Sequence, residues 1–229
     1  MELYQPCSGY RYTSDTMMLY DFILRRGCAG KVLDVGSGCG VLGLLVKRDL
    51  PACRMSAVDI QPSNVALTCK NAQHNNLSIE VFEGDFLALE HRQYFDVLIS
   101  NPPFYHEGVV KTEDAHLRTS RYNGALPLGL FLSHAKRILK PHGKLLWCYD
   151  AKQIGLLLGL LKDEGFTLSA LQCVHPKTTK SASLVLFEAK RNSKSLCEVL
   201  PPLVVHDSHG YTPEAAAIFQ KANTKSLSC

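Results

Sequence analysis

No stretch of this chain approaches the roughly 20 consecutive apolar residues that a membrane-spanning helix requires, so no membrane partner is expected. The start, Met1-Glu-Leu-Tyr-Gln-Pro6, lacks the basic and apolar regions of a secretory signal, which predicts a cytoplasmic protein. The nine cysteines are odd in number and never spaced C-x-x-C, which argues for free thiols over a disulfide framework or a zinc site. His206-Asp-Ser-His209 is an isolated pair in a polar tail, and no metal is expected. Internal repeats and low-complexity segments are both missing, which excludes a solenoid and a disordered chain. A net charge of +4 is too small to identify a nucleic-acid partner by itself.

What remains is 229 residues, 46% of them hydrophobic, enough for one domain with a sizeable core and short appendages. The expected division is a cap segment and helix over 1–30, a main domain over 31–190 and a tail over 191–229.

The informative stretch runs from Val32 to Gly43. Lys31–Val35 is a short apolar run rich in β-branched residues and bounded by glycines, which reads as a strand buried on both faces. Gly36, Ser37, Gly38, Cys39 and Gly40 then turn the chain into a helix starting at Val41. Strand, glycine turn and helix form the first unit of a doubly wound α/β fold. Glycine there lets the backbone turn sharply and a ligand approach closely. Gly38-Cys-Gly40-Val-Leu-Gly43 also satisfies G-x-G-x-x-G, so a dinucleotide is one candidate ligand. Asp34, inside the strand, is a poor neighbour for a pyrophosphate and a good acceptor facing a cation. Cys39 reads as a small filler.

Further along, Arg54–Asp59 is a second strand, and Asp59 ends it about 20 residues past the glycine turn, where such folds accept the ribose hydroxyls. Ile60 follows it, and Pro62–Asn75 reads as a helix with proline in its first turn. Ile79–Phe82 is a third strand, leading to Gly84-Asp85-Phe86. Phe95–Ser100 is a fourth and runs directly into Asn101, Pro102, Pro103 and Phe104. Two prolines at a strand end fix two φ angles and remove two N–H donors, leaving carbonyls and the asparagine amide facing the cleft. Tyr105–Gly124 has no clean period and is expected to be a substrate flap or a short extra helix. Ala125–Lys140 reads as an amphipathic helix closed by Pro141-His-Gly143, with Lys144–Tyr149 as strand five. Leu168–Val174 and Ser183–Ala189 read as a terminal strand pair, and Pro213–Ala222 as a helix.

Asp34-Val-Gly36-Ser-Gly38-Cys-Gly40 resembles motif I of class I S-adenosylmethionine-dependent methyltransferases. Asn101-Pro-Pro-Phe104 resembles their motif IV, found where the acceptor is an amino nitrogen conjugated to a π system. The resemblance implies a Rossmann-like, seven-stranded, mostly parallel sheet with a C-terminal antiparallel hairpin. It implies S-adenosyl-L-methionine as cofactor, with Asp34, Gly36, Ser37, Gly38, Gly40, Asp59, Ile60, Asp85, Phe86 and Asn101 around it. It also assigns Asn101, Pro102, Pro103 and Phe104 to the reaction, with Asn101 and the Pro102 carbonyl accepting the amino hydrogens and Phe104 stacking on the substrate.

Gly9–Asp15, His175-Pro-Lys177 with the basic residues after it, Pro201–Asp207 and Gly210–Glu214 are similar to the bacterial tRNA1(Val) adenine-37 N6-methyltransferase family. That resemblance implies a structured RNA partner, tRNA, with Tyr10, Arg118, Arg121, Lys177 and Lys180 as RNA contacts and no obligate protein partner. Leu117-Arg-Thr-Ser-Arg-Tyr-Asn123 departs from the family, carrying Asn where Glu is expected, and this bears on the target nucleotide. Guanine N2 in rRNA, a protein glutamine amide, a nicotinamide-dependent oxidoreductase and an RNA-binding module without catalysis are the alternatives. The basic residues from Lys177 to Lys194 are equally a solvated surface.

Overall fold

The computed structural model describes residues 1–5, 12–102 and 127–228. Pro103, Phe104, Tyr10, Arg118 and Arg121, together with the flap expected over 105–124, lie outside them.

The sheet is built from β2 (Lys31–Val35), β3 (Arg54–Asp59), β4 (Glu80–Glu83), β5 (Phe95–Ser100), β6 (Leu139–Asp150), β7 (Phe166–Lys177) and β8 (Leu184–Arg191). The apolar runs of the central strands are buried on both faces, whereas β4, at the end of the order, has no buried residue. In space they run β7-β8-β6-β5-β2-β3-β4. From β2 to β6 every pairing is parallel, and β8 inserts antiparallel between β6 and β7. These are the seven strands expected, with the terminal hairpin as β7 and β8. Two more extend the sheet: β9 (Glu198–Val199) and β10 (Leu203–His206) both pair parallel with β7, so the full sheet has nine strands. β9 is two residues long and β10 follows a Pro-Pro pair, so neither carries a strand pattern of its own; the open edge of β7 orders them.

Between the strands run α1 (Ser14–Arg26), α2 (Val41–Asp49), α3 (Pro62–His74), α4 (Leu128–Ile138), α5 (Ile154–Asp163) and α6 (Pro213–Ala222). α1 packs against α2 and α6, while α4 packs against α5. The core is large and aromatic at its centre: Trp147 on β6 is fully buried, with Phe131 of α4 edge-on at 5.8 Å and Phe187 of β8 at 5.9 Å.

β7 and β8 run a few residues past their expected ends, and the largest departure is at the start of β6. Pro141-His-Gly143 does not close a helix; α4 ends at Ile138 and β6 already begins at Leu139. Leu139 pairs with Phe95, and the register then shifts before Val97 meets Lys144. The extra residues form a bulge in which His142 takes a left-handed φ of 64°. Tertiary pairing to β5 overrides the local stop signal.

The chain termini meet. β1 (Glu2–Gln5) and β11 (Lys225–Ser228) form a separate two-stranded parallel sheet. Asn71 on α3 and Asn75, the residue that caps its carboxyl end, hold the backbone of β1. Asn71 accepts the Tyr4 N–H at 2.7 Å and donates to the Tyr4 carbonyl at 3.0 Å. Asn75 does the same for Glu2, at 3.1 and 2.7 Å. Asn71 also donates to the Cys39 carbonyl at 2.9 Å, which ties the terminal sheet to the glycine turn.

Candidate active site

From β2 the strand order proceeds through β3 and β4 on one side and through β5 and β6 on the other. A parallel sheet that reverses its winding in this way leaves a crevice beyond the carboxyl ends of its strands at the reversal. A cleft of about 990 Å³, including its open mouth, lies there. It is lined by the glycine turn after β2, the end of β3, Gly84-Asp85-Phe86 after β4, and Asn101 after β5. Tyr12 and Thr16 from the N-terminal segment complete one wall.

The glycine turn is fixed from several directions. Gly36, Gly38 and Gly40 have φ of 67°, 58° and 81°, a region L side chains adopt rarely. The Gly36 and Ser37 N–H groups both donate to the Val58 carbonyl, at 2.9 and 3.1 Å. Asp59 Oδ2 accepts the Gly38 N–H at 2.8 Å, and Oδ1 accepts from the Gln61 N–H at 2.9 Å and the Asn64 amide at 3.0 Å. Buried Thr68 of α3 donates to the Gly38 carbonyl at 2.9 Å. Asp59 therefore braces the turn as well as facing the cleft.

Asp34 is only 1% exposed, and its Oδ2 accepts the Gly43 N–H at 2.9 Å. Burial, with the nearby charge of Asp59, raises its pKa to about 7 against the single favourable Gly43 bond. At the end of β4, Asp85 Oδ1 accepts the Leu87 N–H at 2.9 Å and so caps the short turn Phe86–Ala88. Phe86 turns its ring into the core against Phe131 and His134, which leaves its backbone to serve the cleft. Ile60, half exposed, is an apolar plate at the rim.

Asn101 is held at both ends of its amide. Its Nδ2 donates to Thr16 Oγ1 at 3.0 Å, and its Oδ1 accepts from Cys148 Sγ at 3.0 Å. Just before it, Ser100 donates to the Val35 carbonyl at 2.8 Å, which joins the end of β5 to that of β2. Thr16 and Cys148 carried no motif in the sequence. Only the fold brings the first turn of α1 and the carboxyl-terminal part of β6 to the end of β5.

The cleft lining holds three carboxylates and no Lys, Arg or His among the described residues. The Ser37 hydroxyl is buried beside it with no hydrogen-bond partner among those residues. Such a site suits a ligand that brings cationic and N–H or O–H donor groups. A pyrophosphate there would meet carboxylates with no countercharge, which removes the main attraction of a dinucleotide.

The sequence profile described as the methyltransferase small domain matches residues 13–155. The chain belongs to this family. The methyltransferase is 26% identical over 210 residues to a tRNA1(Val) (adenine(37)-N6)-methyltransferase of Vibrio parahaemolyticus, covering 90% of this chain and 86% of the relative. It is 28% identical over 145 residues to a release factor glutamine methyltransferase of Salmonella typhimurium, covering 60% of this chain and 52% of that one. The crystal structure of a predicted O-methyltransferase from Agrobacterium tumefaciens has the same fold, with a TM-score of 0.71 at 17% identity over 93% of this chain and 99% of that one.

The enzyme's methyl donor is S-adenosylmethionine, and the residues present fit it. The carboxylates would oppose its sulfonium and ammonium charges, the Ser37 hydroxyl, without a partner among the described residues, could take a hydrogen bond, and Ile60 would offer an apolar face to an adenine.

Beyond the cleft, the strand directions bring further residues to the same edge. β7 is antiparallel to β8, which is antiparallel to β6, so β7 and its partner β10 end on the edge where β5 delivers Asn101. Lys177 and Lys180 stand exposed there, beside exposed Lys152 after β6. His206 stacks on Tyr211 with centroids 4.7 Å apart, and its ring nitrogen meets the Pro176 carbonyl at 3.3 Å, so it serves packing rather than a metal pair with His209. No group of three metal-binding side chains occurs among the described residues.

Proposed function

We propose that this methyltransferase transfers a methyl group to the exocyclic N6 of an adenine in tRNA. The single observation that carries the reading is Asn101-Pro102 at the end of β5, with the Asn101 amide in the wall of the cofactor cleft. An amino nitrogen attached to a π system is planar and its lone pair is delocalised, so it is a poor nucleophile. Two acceptors beside it change that. The Asn101 Oδ1 and the Pro102 carbonyl each take one N–H, favour the pyramidal nitrogen of the transition state and aim its lone pair into the cleft. When bound, the cofactor would supply a methyl on a sulfonium and leave as the neutral thioether; the amino nitrogen, cationic once methylated, would give its surplus proton to water. No strong base is needed beforehand. Phe104 stacks on the base, worth roughly 1–3 kcal/mol.

The RNA assignment rests on two supports: the relative named for tRNA matches over nearly the whole chain, and basic residues stand on the Asn101 edge. β7 is three strands from β5, or about 14 Å at the usual spacing, the scale over which a tRNA loop delivers one base while its backbone meets Lys177 and Lys180. Tyr10, Arg118 and Arg121 are further proposed contacts, and tRNA as substrate implies a cytoplasmic enzyme. A base in an unpaired loop is splayed into a pocket at low cost. The glutamine reading shares Asn-Pro-Pro-Phe, but its relative aligns over 60% of this chain and 52% of its own length, against 90% and 86% for the relative named for tRNA.

Incubation with tritiated S-adenosylmethionine and unmodified total tRNA, then nucleoside chromatography, tests this. Label in N6-methyladenosine is expected. Label in N2-methylguanosine keeps the mechanism and overturns the base, and label only in a glutamine-containing release-factor peptide overturns the RNA.

A further inference from the structure

An asparagine amide has two ends of nearly identical shape and opposite chemistry. If the NH2 faced the substrate, two donors would oppose each other and the proposed activation would fail. The neighbours of Asn101 settle which end is which. Thr16, 4% exposed, can accept or donate through its hydroxyl, so it would tolerate either orientation. Cys148 is different: a thiol is weak both as donor and as acceptor, but it carries one hydrogen, which an amide oxygen can take and an NH2 cannot. With Sγ 3.0 Å from Oδ1 the thiol hydrogen meets an oxygen; the reversed amide would set an NH2 against it. Burial, with the negative charge of Asp15 added, pushes the Cys148 thiol well above its ordinary pKa, so the hydrogen stays on the sulfur.

We propose that Thr16 and Cys148 are positioning residues that lock the Asn101 amide, Cys148 setting its sense and Thr16 its plane, so that one lone pair of Oδ1 is kept for the substrate amino group. The lock joins three separate elements. Thr16 comes from the first turn of α1, Asn101 from the end of β5 and Cys148 from β6, one residue past the Trp147 that pairs with Ser100. Cys148 is fully buried and does not line the cleft, so it acts only through Asn101. This inference deepens the proposed amino-group chemistry and rests on it for its kinetic consequence.

The test compares Cys148→Ala, Cys148→Ser, Thr16→Val and Thr16→Ser, each alone and in an Asn101→Ala background, on whichever amine substrate the wild type methylates. Cys148→Ala and Thr16→Val are expected to lower kcat roughly tenfold, as loss of one orienting hydrogen bond should. For Cys148→Ala, which does not line the cleft, KM and S-adenosylhomocysteine affinity by calorimetry should stay within about twofold; Thr16→Val, in the cleft wall, is read on kcat and on amide exchange alone. Serine at either position restores most of kcat because the donor or acceptor returns. In the Asn101→Ala background neither substitution lowers kcat further. An unchanged kcat, or an equal fall with and without Asn101, overturns the lock. An activity-free readout separates the two readings: in protein labelled with nitrogen-15 at asparagine, the Asn101 side-chain NH2 should exchange faster in Thr16→Val than in wild type. Faster exchange in an enzyme that methylates no amine overturns the proposed function and leaves the lock standing; unchanged exchange overturns the lock.

Discussion

A Cβ at Gly43 would sit 3.0 Å from Asp34 Oδ2, and the same Gly43 gives its N–H to that oxygen at 2.9 Å. The last glycine of G-x-G-x-x-G therefore serves a buried carboxylate here, and the carboxylate is set to titrate near neutrality. Its pKa of about 7 lies above the ordinary 3.8, so between those values the folded protein holds a proton that the unfolded chain has lost. Folding stability contributed by that proton declines as pH rises toward 7. A cationic ligand reverses the preference, because it favours the ionised form. S-adenosylmethionine affinity is expected to strengthen as pH rises through about 7. Calorimetry on either side of neutrality checks this, and Asp34→Asn should flatten the profile.

Asn101 and Asp59 should separate catalysis from binding. Asn101→Ala is expected to lower kcat by roughly 100-fold, comparable to losing one transition-state hydrogen-bonding group, with S-adenosylhomocysteine affinity nearly unchanged. Asp59→Ala should weaken that affinity first, because it also releases the Gly38 N–H and the Asn64 amide. Equal calorimetric affinities for the two variants would refute the role given to Asp59.

Gly40→Ala tests the turn. A left-handed φ costs a side chain about 1–2 kcal/mol, and here the new Cβ would also lie 2.8 Å from Thr68 Cγ2, a buried branched side chain with no room to yield. Urea unfolding should show at least that loss, and cofactor affinity should fall with it because Thr68 holds the Gly38 carbonyl.

Glu188 on β8 is 1% exposed. Burial alone would raise its pKa, but Arg26, Ser169, Lys144 and Lys190 outweigh it and hold the carboxylate down at about 2. Glu188→Gln leaves the cations facing one another, and a stability loss of about 3 kcal/mol is expected by chemical denaturation. In the wild type this contribution is present above the ordinary carboxylate pKa of 4.5 and is lost as pH falls toward 2. The variant's stability should therefore depend less on pH in that range.

The sequence alone determined the layers and the cleft. β2, β3 and β5 begin and end at the residues their apolar runs predict, because strands buried on both faces leave an unbroken signal between glycines and charges. Asp34, Asp59, Asp85 and Asn101 were legible because each stands within two residues of a strand's carboxyl end, Asp34 just inside it, and the carboxyl ends of parallel strands share one edge by construction. Four features were decided by tertiary structure. β10 and the bulge at His142 exist because a neighbouring strand offers hydrogen bonds that local sequence cannot announce. The parallel pair β1 and β11 joins residues 223 positions apart, such as Glu2 and Lys225. Thr16 and Cys148 acquire a role only where three elements meet, for a hydroxyl and a thiol have no periodicity to betray them. Periodicity reports which face of an element is buried; it carries nothing about which side chain from another element arrives there.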